Sequence, residues 1–215
     1  MRQFIDITRT LGLDTVDWPT GPAFAVSTWQ AVKKGDQANV SRLVMSSHSG
    51  THLDAPRHFL DEGGSLDSLP VERLIVKVLV VEIRSPICIS RDDLGQIDFR
   101  EVKGILFKTR NSDLPRDSFC KNFVYISAEA AEYLVRNKVS LVGIDYLSVD
   151  AYQSPHSAVH HLLLKKGILL LEDVNLREVR PGKYQLFCFP LKWREADGAP
   201  CRAVLSNPEF WENAS

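Results

Sequence analysis

The segment YISAEAAEYLVRNKVSLVGIDYLSVDAYQSPHSAVHHLLLKKGILLLE, residues 125–172, carries the clearest evidence of fold class in this 215-residue chain. Short apolar runs alternate in it with two helical patterns. Ser127 can cap a first helix over 128–138, and a second is predicted over 155–166, where Pro155 takes the first position. The repeated order of strand, helix and strand is typical of crossover connections between parallel strands.

Further predicted strands lie on both sides of this segment. Helices are few, so we expect a mixed, strand-rich α/β protein. No internal repeat or long linker divides residues 1–215, which predicts a single domain. The stretch 192–215, rich in Pro, Gly, Ala and charge, is expected to wrap the surface or a neighbouring subunit. The additional strand patterns are FIDIT, AFAVSTWQAV, NVSRLVMSS, IVKVLVVEI, GILFKT and YQLFCF.

The composition limits the possible partners. The chain is 44% hydrophobic and 25% charged, which is enough apolar material for a sizeable core and argues against disorder. With 26 Lys and Arg against 27 Asp and Glu, the net charge is −1, so no basic field would attract a nucleic acid or an anionic membrane. Any charged partner must therefore be met by a local group of side chains.

The apolar runs and the cysteines indicate the compartment. The longest apolar stretches are strand-sized, too short for a transmembrane helix, and no signal-peptide pattern is seen at the N-terminus. The four cysteines are scattered without a C-x-x-C pair, so a disulfide framework or a cysteine zinc site is not expected. We therefore expect a cytoplasmic protein.

The string HSGTHLDAPRHF, residues 48–59, contains three of the six histidines and an aspartate between the last two. Gly50 and Pro56 disfavour a helix, so an extended or looped backbone is predicted. In an extended chain, positions 48, 52, 54 and 58 share parity, which lets imidazole and carboxylate groups converge on a divalent cation. A lone histidine is more often a surface or hydrogen-bonded core residue, but this cluster favours a metal site.

The other three histidines lie on the second predicted helix. His156 and His160 are four residues apart on one face, and His161 lies about 100° further round. Twelve residues after His160, Glu172 ends the apolar strand ILLLE. Glu172 is equally well interpreted as a metal ligand at a strand end or as the first polar residue after a strand.

Other catalytic classes find little support in the sequence. There is no G-x-S-x-G elbow and no cysteine in a recognisable catalytic string. The string GGSLDS lacks the lysine and serine that end a phosphate-binding loop, and its glycine spacing does not match a dinucleotide fingerprint. Serine or cysteine nucleophiles and nucleotide chemistry are therefore disfavoured.

The histidine-rich string resembles a family signature. HSGTHLDAPRHF matches H-x-G-T-H-x-D-x-P-x-H of the metal-dependent cyclase family at every fixed position. That family includes bacterial kynurenine formamidases (arylformamidases) and isatin hydrolases. The resemblance extends over most of the chain, through FIDIT, the Trp18-Pro19 pair, GILFKTRNS, GIDYLSVD, the spacing from His160 to Glu172, and DGAPCRAV.

The resemblance implies a fold and a set of site residues. The fold would be a swivelling β/β/α domain assembled as a homodimer or homotetramer. One divalent metal, zinc or alternatively manganese, would be held by His48, His52 and Asp54. Asp54 and Glu172 would bridge to a second ion that His160 also holds. His58 would act as general acid and base, and Trp18 would form an aromatic wall of the substrate pocket.

The expected activity follows from this resemblance. It implies hydrolysis of a small aromatic amide by a metal-activated water, with N-formylkynurenine, an intermediate of tryptophan catabolism, as the favoured substrate. A cyclic amide such as isatin, another acyl substrate, or a catalytically silent metal-binding role are the alternatives. Formamidases commonly follow the Trp-Pro pair with Gly-Asp, whereas this chain has WPTGPAF, which leaves the choice of substrate open.

Overall fold

The computed structural model describes residues 3–207 and contains twelve strands and two α-helices. Eight strands form one mixed sheet, and two pairs of strands form separate small sheets. The strands are β1 Phe4–Asp6, β2 Ala25–Gln30, β3 Val40–Val44, β4 His52–Asp54, β5 Ile75–Glu82, β6 Cys88–Ile89, β7 Gly104–Lys108, β8 Tyr125–Ile126, β9 Leu141–Ile144, β10 Leu169–Glu172, β11 Gly182–Pro190 and β12 Gly198–Ser206. The helices are α1 Ala128–Arg136 and α2 Ala158–Lys165.

The large sheet closes on itself like a barrel. Its order is β1-β12-β11-β5-β7-β9-β10-β4, and β4 pairs in addition with β12. Strands β5, β7, β9 and β10 run parallel, while β4, β11 and β12 pair antiparallel with their neighbours. The predicted mixed, strand-rich α/β class with a partly parallel sheet is confirmed.

Side chains alternate between the inside of this closed sheet and the layer beneath the helices. On β10, Leu169 and Leu171 join the inner core, whereas Leu170 packs in the outer core with Leu134 of α1 and Leu163 of α2. Consecutive strand residues point to opposite faces, so one strand contributes to both cores. Glu172 follows the same alternation as Leu170 and therefore faces the helix layer.

The two helices differ in how well the sequence predicts them. The Ser127 hydroxyl accepts a hydrogen bond from the Ala130 amide and caps α1 as expected. The second helix begins only at Ala158, because residues 155–157 form a 3₁₀ turn in which His156 and Ser157 have φ of 59° and 43°. His156 therefore lies outside α2, and the prediction that it shares a helical face with His160 is wrong.

The C-terminal segment is more regular than its composition indicates. Residues 198–206 form β12, an interior strand that pairs with β1, β11 and β4. Six of its nine residues pair with β11, where their partners run from Gln185 to Pro190. The expectation of a surface-wrapping segment is thus wrong for β12, since hydrogen bonds from strands on both sides outweigh its weak local strand pattern. Residues 208–215 lie outside the described range.

Strands β2 and β3 form a hairpin in which every strand residue is solvent-exposed. Its apolar side chains include Trp29, which is 69% exposed, together with Val26 and Leu43. Such a hairpin contributes little to the core of its own chain. Within residues 3–207, no helix has the length and apolarity needed to cross a membrane.

Candidate metal centre

Strand pairing brings histidine and carboxylate groups together on the helix side of the sheet. His52 and Asp54 alternate with Leu53 on β4, so both point to the same face. In the antiparallel register with β10, His52 lies opposite Glu172 and Asp54 lies opposite Leu170. Helix α2 covers this face and adds His160. We call His52, Asp54, His160 and Glu172 the inner cluster.

The polar atoms of the inner cluster converge in a buried space. His52 Nε2 lies 3.4 Å from Asp54 Oδ1 and 3.4 Å from Glu172 Oε2. His160 Nε2 lies 3.3 Å from Glu172 Oε1 and 3.6 Å from Asp54 Oδ2. All four residues are between 0% and 5% exposed. His52 Nε2 and Asp54 Oδ2 nevertheless have no hydrogen-bond partner among the described residues, which is unusual for buried polar atoms.

The far side of each inner imidazole is anchored. His52 Nδ1 lies 2.7 Å from the carbonyl oxygen of Gly50, a residue whose φ of 64° turns the backbone towards the ring. His160 Nδ1 lies 2.6 Å from Asp150 Oδ2. When Nδ1 donates to such an acceptor, the lone pair of Nε2 is left facing the cluster. The donor set and its anchors fit a divalent cation.

Asp150 supports α2 as well as His160. Its Oδ1 accepts hydrogen bonds from the Val159 amide and the Ser154 hydroxyl, and its Oδ2 accepts one from the His160 amide. This carboxylate therefore satisfies the free amides at the start of the helix, where the N-cap Ser157 makes no side-chain bond. Asp150 lies in the motif GIDYLSVD but was not predicted from the sequence to be a site residue.

A second group, which we call the outer cluster, consists of His48, His58 and Asp197. His48 Nδ1 lies 2.7 Å from Asp54 Oδ1, and His48 Nε2 lies 2.9 Å from Asp197 Oδ2. The rings of His48 and His58 stack with centroids 3.8 Å apart. Asp197 was also not identified from the sequence, although it begins the quoted string DGAPCRAV.

The structure brings six of the residues expected from the sequence into one site: His48, His52, Asp54, His58, His160 and Glu172. The backbone that does so is partly extended and partly looped, in line with the prediction. Only His52 and Asp54 lie on a strand, while His48 is in a turn and His58 ends a 3₁₀ turn. His161 points away from the cluster and its ring contacts Phe59.

The electrostatics separate the histidines into two kinds. Burial opposes protonation of His160, but the carboxylates of Asp150 and Glu172 outweigh it and raise its pKa to about 10. In the same way, Asp54 and Glu172 raise the pKa of His52 despite its burial. For His58, burial dominates the weaker attraction of Asp54 and lowers the pKa to about 4. His58 is therefore neutral near pH 7 and can accept a proton.

A cleft of about 360 Å³ opens onto both clusters. Trp18 lines it and packs against Phe119 and Tyr152, with ring centroids 5.0 Å and 5.8 Å away. Gln153 and Ser157, which have positive φ angles of 60° and 43°, also line the cleft. The cleft therefore combines an aromatic wall, a polar rim and the buried ligand set, and its volume suits a small aromatic molecule.

Comparison with known proteins shows relatives over almost the whole chain. A kynurenine formamidase of Salinibacter ruber (strain DSM 13855 / M31) is 37% identical over 204 residues, covering 94% of this chain and 96% of that protein. A kynurenine formamidase of Geobacillus thermodenitrificans (strain NG80-2) is also 37% identical, covering 95% of this chain and 98% of that protein. These are proteins to which the chain is similar in sequence and length.

Solved structures extend the similarity to the fold. An isatin hydrolase bound to the product analogue thioisatinate has a TM-score of 0.84 and 23% identity, covering 96% of this chain and 92% of that one. A predicted metal-dependent hydrolase from Bacillus stearothermophilus has a TM-score of 0.80 and 29% identity, covering 94% and 97%. The Cyclase family model matches residues 5–151, which is more than half of the sequence. The chain therefore belongs to the cyclase family.

Proposed function

We propose that this protein is a metal-dependent amidohydrolase that converts N-formylkynurenine to kynurenine and formate. The observation that carries the proposal is the inner cluster, whose orphaned His52 Nε2 and Asp54 Oδ2 lie buried beside an aromatic-walled cleft. The relatives that are 37% identical over almost the whole chain are kynurenine formamidases, which supports this substrate.

The ligand sets fit two divalent ions. His48, His52 and Asp54 form one set, and Asp54, His160 and Glu172 form the other, with the ligand atoms in each set within 4.8 Å of one another. Asp54 belongs to both sets, so it would bridge the ions, and Glu172 also lies within reach of His52. We favour zinc, with manganese as the alternative, because imidazole and carboxylate ligands suit both.

The chain's own residues would bind the substrate and move the proton. A bound divalent ion lowers the pKa of water from about 15.7 to about 7 and polarises a carbonyl group. The neutral imidazole of His58 lies at the cleft, where it can take a proton from the attacking water and deliver it to the leaving amine. Trp18 would hold the aromatic ring of the substrate against the cleft wall.

Hydrolysis of a cyclic amide such as isatin is the second candidate. The fold similarity to an isatin hydrolase favours it, and the same ligand set could serve both reactions. In the cyclic substrate the leaving nitrogen stays attached to the product, so the two activities differ mainly in how the cleft holds the substrate.

An activity screen with defined metal content tests these functions. We would remove metal with a chelator, restore Zn²⁺ or Mn²⁺, and measure turnover of N-formylkynurenine, isatin and a simple aryl ester. The proposal expects metal-dependent turnover that is fastest with N-formylkynurenine. Faster turnover of isatin would favour the second candidate, and activity that survives metal removal would contradict both.

We also propose that the β2–β3 hairpin binds a second copy of this chain, giving a homodimer or homotetramer. An isolated two-stranded hairpin is at best marginally stable in water, yet this one is exposed on both faces and carries Trp29, Val26 and Leu43. A stable interface takes roughly 20–30 residues from each partner. The hairpin would supply part of such a contact, and neighbouring surface residues would have to complete it.

The oligomeric state can be measured by light scattering coupled to size exclusion. Trp29→Asp combined with Val26→Asp should reduce the mass of the assembly to that of a single chain. Ile87→Asp changes an apolar residue of similar exposure outside the hairpin and serves as the control. An unchanged mass in the hairpin variant would contradict the proposal.

A further inference from the structure

Strand pairing brings Asp197 to the site, although it is far from the site histidines of residues 48–58 in the sequence. Strand β12 pairs with β4 so that Gly198 lies opposite Asp54. The Ala55 amide donates a 2.9 Å hydrogen bond to the Asp197 carbonyl oxygen. The backbone of Asp197 is therefore fixed against the segment that carries the histidines, 149 residues from His48.

The Asp197 carboxylate contacts both histidines of the outer cluster. Its Oδ2 lies 2.9 Å from His48 Nε2 and accepts a 3.1 Å hydrogen bond from the Ser47 hydroxyl. The same oxygen lies 3.8 Å from His58 Nδ1. The rings of His48 and His58 stack, so His48 Nε2 and His58 Nδ1 both lie near Asp197 Oδ2.

Gly198, the residue after Asp197, has no side chain and so leaves space for the His48 ring. A Cβ atom at Gly198 would lie 2.4 Å from His48 Cε1 and 2.9 Å from His48 Nδ1. Such distances are far inside van der Waals contact, so any larger residue would displace the imidazole. The His48 ring therefore packs directly on the backbone of β12. This packing holds the ring in the position where it contacts Asp197.

We propose that Asp197 is a positioning residue that selects the tautomer of His48 and holds His58 beside it. This inference rests on the proposed function. A proton on His48 Nε2 that is donated to Asp197 leaves the lone pair on Nδ1, the nitrogen that faces Asp54. Carboxylates commonly fix ligating histidines in this way, and losing one typically costs roughly 10–100-fold in metal affinity.

Zinc affinity tests the role of Asp197 without any substrate. Zn²⁺ would be titrated into the full-length metal-free protein in competition with a chromogenic chelator. Asp197→Ala should weaken one of the two Zn²⁺ sites roughly 10–100-fold, and Asp197→Asn should weaken it less, since the amide oxygen can still accept a hydrogen bond. Asp61→Asn removes a charge from an exposed loop position nearby and should bind Zn²⁺ like the wild type. Equal affinities in Asp197→Ala and Asp61→Asn would overturn the proposal.

A double-mutant cycle separates positioning of His58 from general destabilisation. At saturating Zn²⁺, Asp197→Ala should lower kcat at least about threefold in the wild type and leave kcat almost unchanged in His58→Ala, because interacting residues are not additive. Equal fold losses in both backgrounds would overturn the part that concerns His58. If N-formylkynurenine is not turned over, the proposed function fails, and the cycle is run with whichever of isatin or the aryl ester is hydrolysed.

Discussion

The inner and outer clusters share Asp54 as a neighbour but differ in solvent access. The inner cluster is almost fully buried, whereas the side chains of His48, His58 and Asp197 are 19%, 29% and 41% exposed. Inner residues come from paired strands and a capped helix, while outer residues come from turns and from the segment before β12. On this basis we propose a division of labour, in which the buried residues together with His48 would hold metal and the accessible His58 would exchange protons with the substrate.

The pKa values separate His58 from the other site histidines, including His48, for which Asp54 and Asp197 outweigh burial and raise the pKa. Inner imidazoles face carboxylates at short range, so they are held protonated until a cation replaces the proton. His58 is also desolvated but lies further from those carboxylates, and it stays neutral. His58 is therefore unprotonated near pH 7, the state from which a general base accepts a proton.

The largest effect is expected from the inner cluster. His52→Ala removes a buried ligand and should abolish binding of at least one metal ion, with turnover falling to background. Elemental analysis of protein purified without chelator, together with kcat, measures both effects. His161→Ala, which changes an exposed histidine on the same site-bearing helix as His160, should keep metal and activity. Full metal content in His52→Ala would contradict the assignment.

His58→Ala tests the outer cluster and should separate catalysis from metal binding. Loss of a general acid or base typically lowers kcat by about 10²–10⁴-fold, and metal content should remain near that of the wild type. Substrates whose amine leaves easily without protonation should be affected less. Loss of metal in this variant would instead make His58 a ligand.

Asp150→Ala would test whether the carboxylate behind His160 is as important as the ligand itself. It removes the anchor of His160 Nδ1 and leaves the Val159 and His160 amides without their acceptor. We expect roughly 10–100-fold weaker Zn²⁺ binding and a lower melting temperature. Competition titration and calorimetry measure the two effects. An unchanged Zn²⁺ affinity would show that the helix alone orients His160.

The pH dependence of metal binding should reflect the raised pKa values of the inner histidines. Because the pKa of His160 in the metal-free protein is about 10, its ring is protonated at pH 7 and must lose a proton to bind a cation. Zn²⁺ affinity should therefore rise between pH 6 and pH 8, by about tenfold per pH unit for each proton displaced. Calorimetry in two buffers of different ionisation enthalpy counts the protons released. Affinity independent of pH would contradict the prediction.

The site residues were largely predictable because their signals are local. The spacing of His48, His52, Asp54 and His58 is visible within one short string, and a capped, amphipathic pattern predicts α1. For His160 and Glu172, helix and strand patterns placed each residue on an element, and the family resemblance assigned both to the site. The metal ligation itself stays a prediction that the experiments above can test.

Other features depend on contacts between distant parts of the chain. Strand β12 has a weak local pattern and exists because β1, β4 and β11 complete its hydrogen bonds. That pairing brings Asp197 to His48, which no spacing in the sequence reveals. His156 and Ser157 have left-handed backbone conformations, so the helix begins only at Ala158. The Asp150 carboxylate accepts hydrogen bonds from the amides at this helix start.

The sequence by itself therefore indicated most of the side chains of the candidate site, because residue type and short-range spacing are properties of a single segment. Only the tertiary structure decided how those side chains are oriented. Strand register places His52 opposite Glu172 and Gly198 opposite Asp54, and register is set by backbone hydrogen bonds between strands that are far apart in the chain. Orientation depends on such non-local pairing, since a register shift of one residue in β4 would turn His52 and Asp54 to the other face of the sheet.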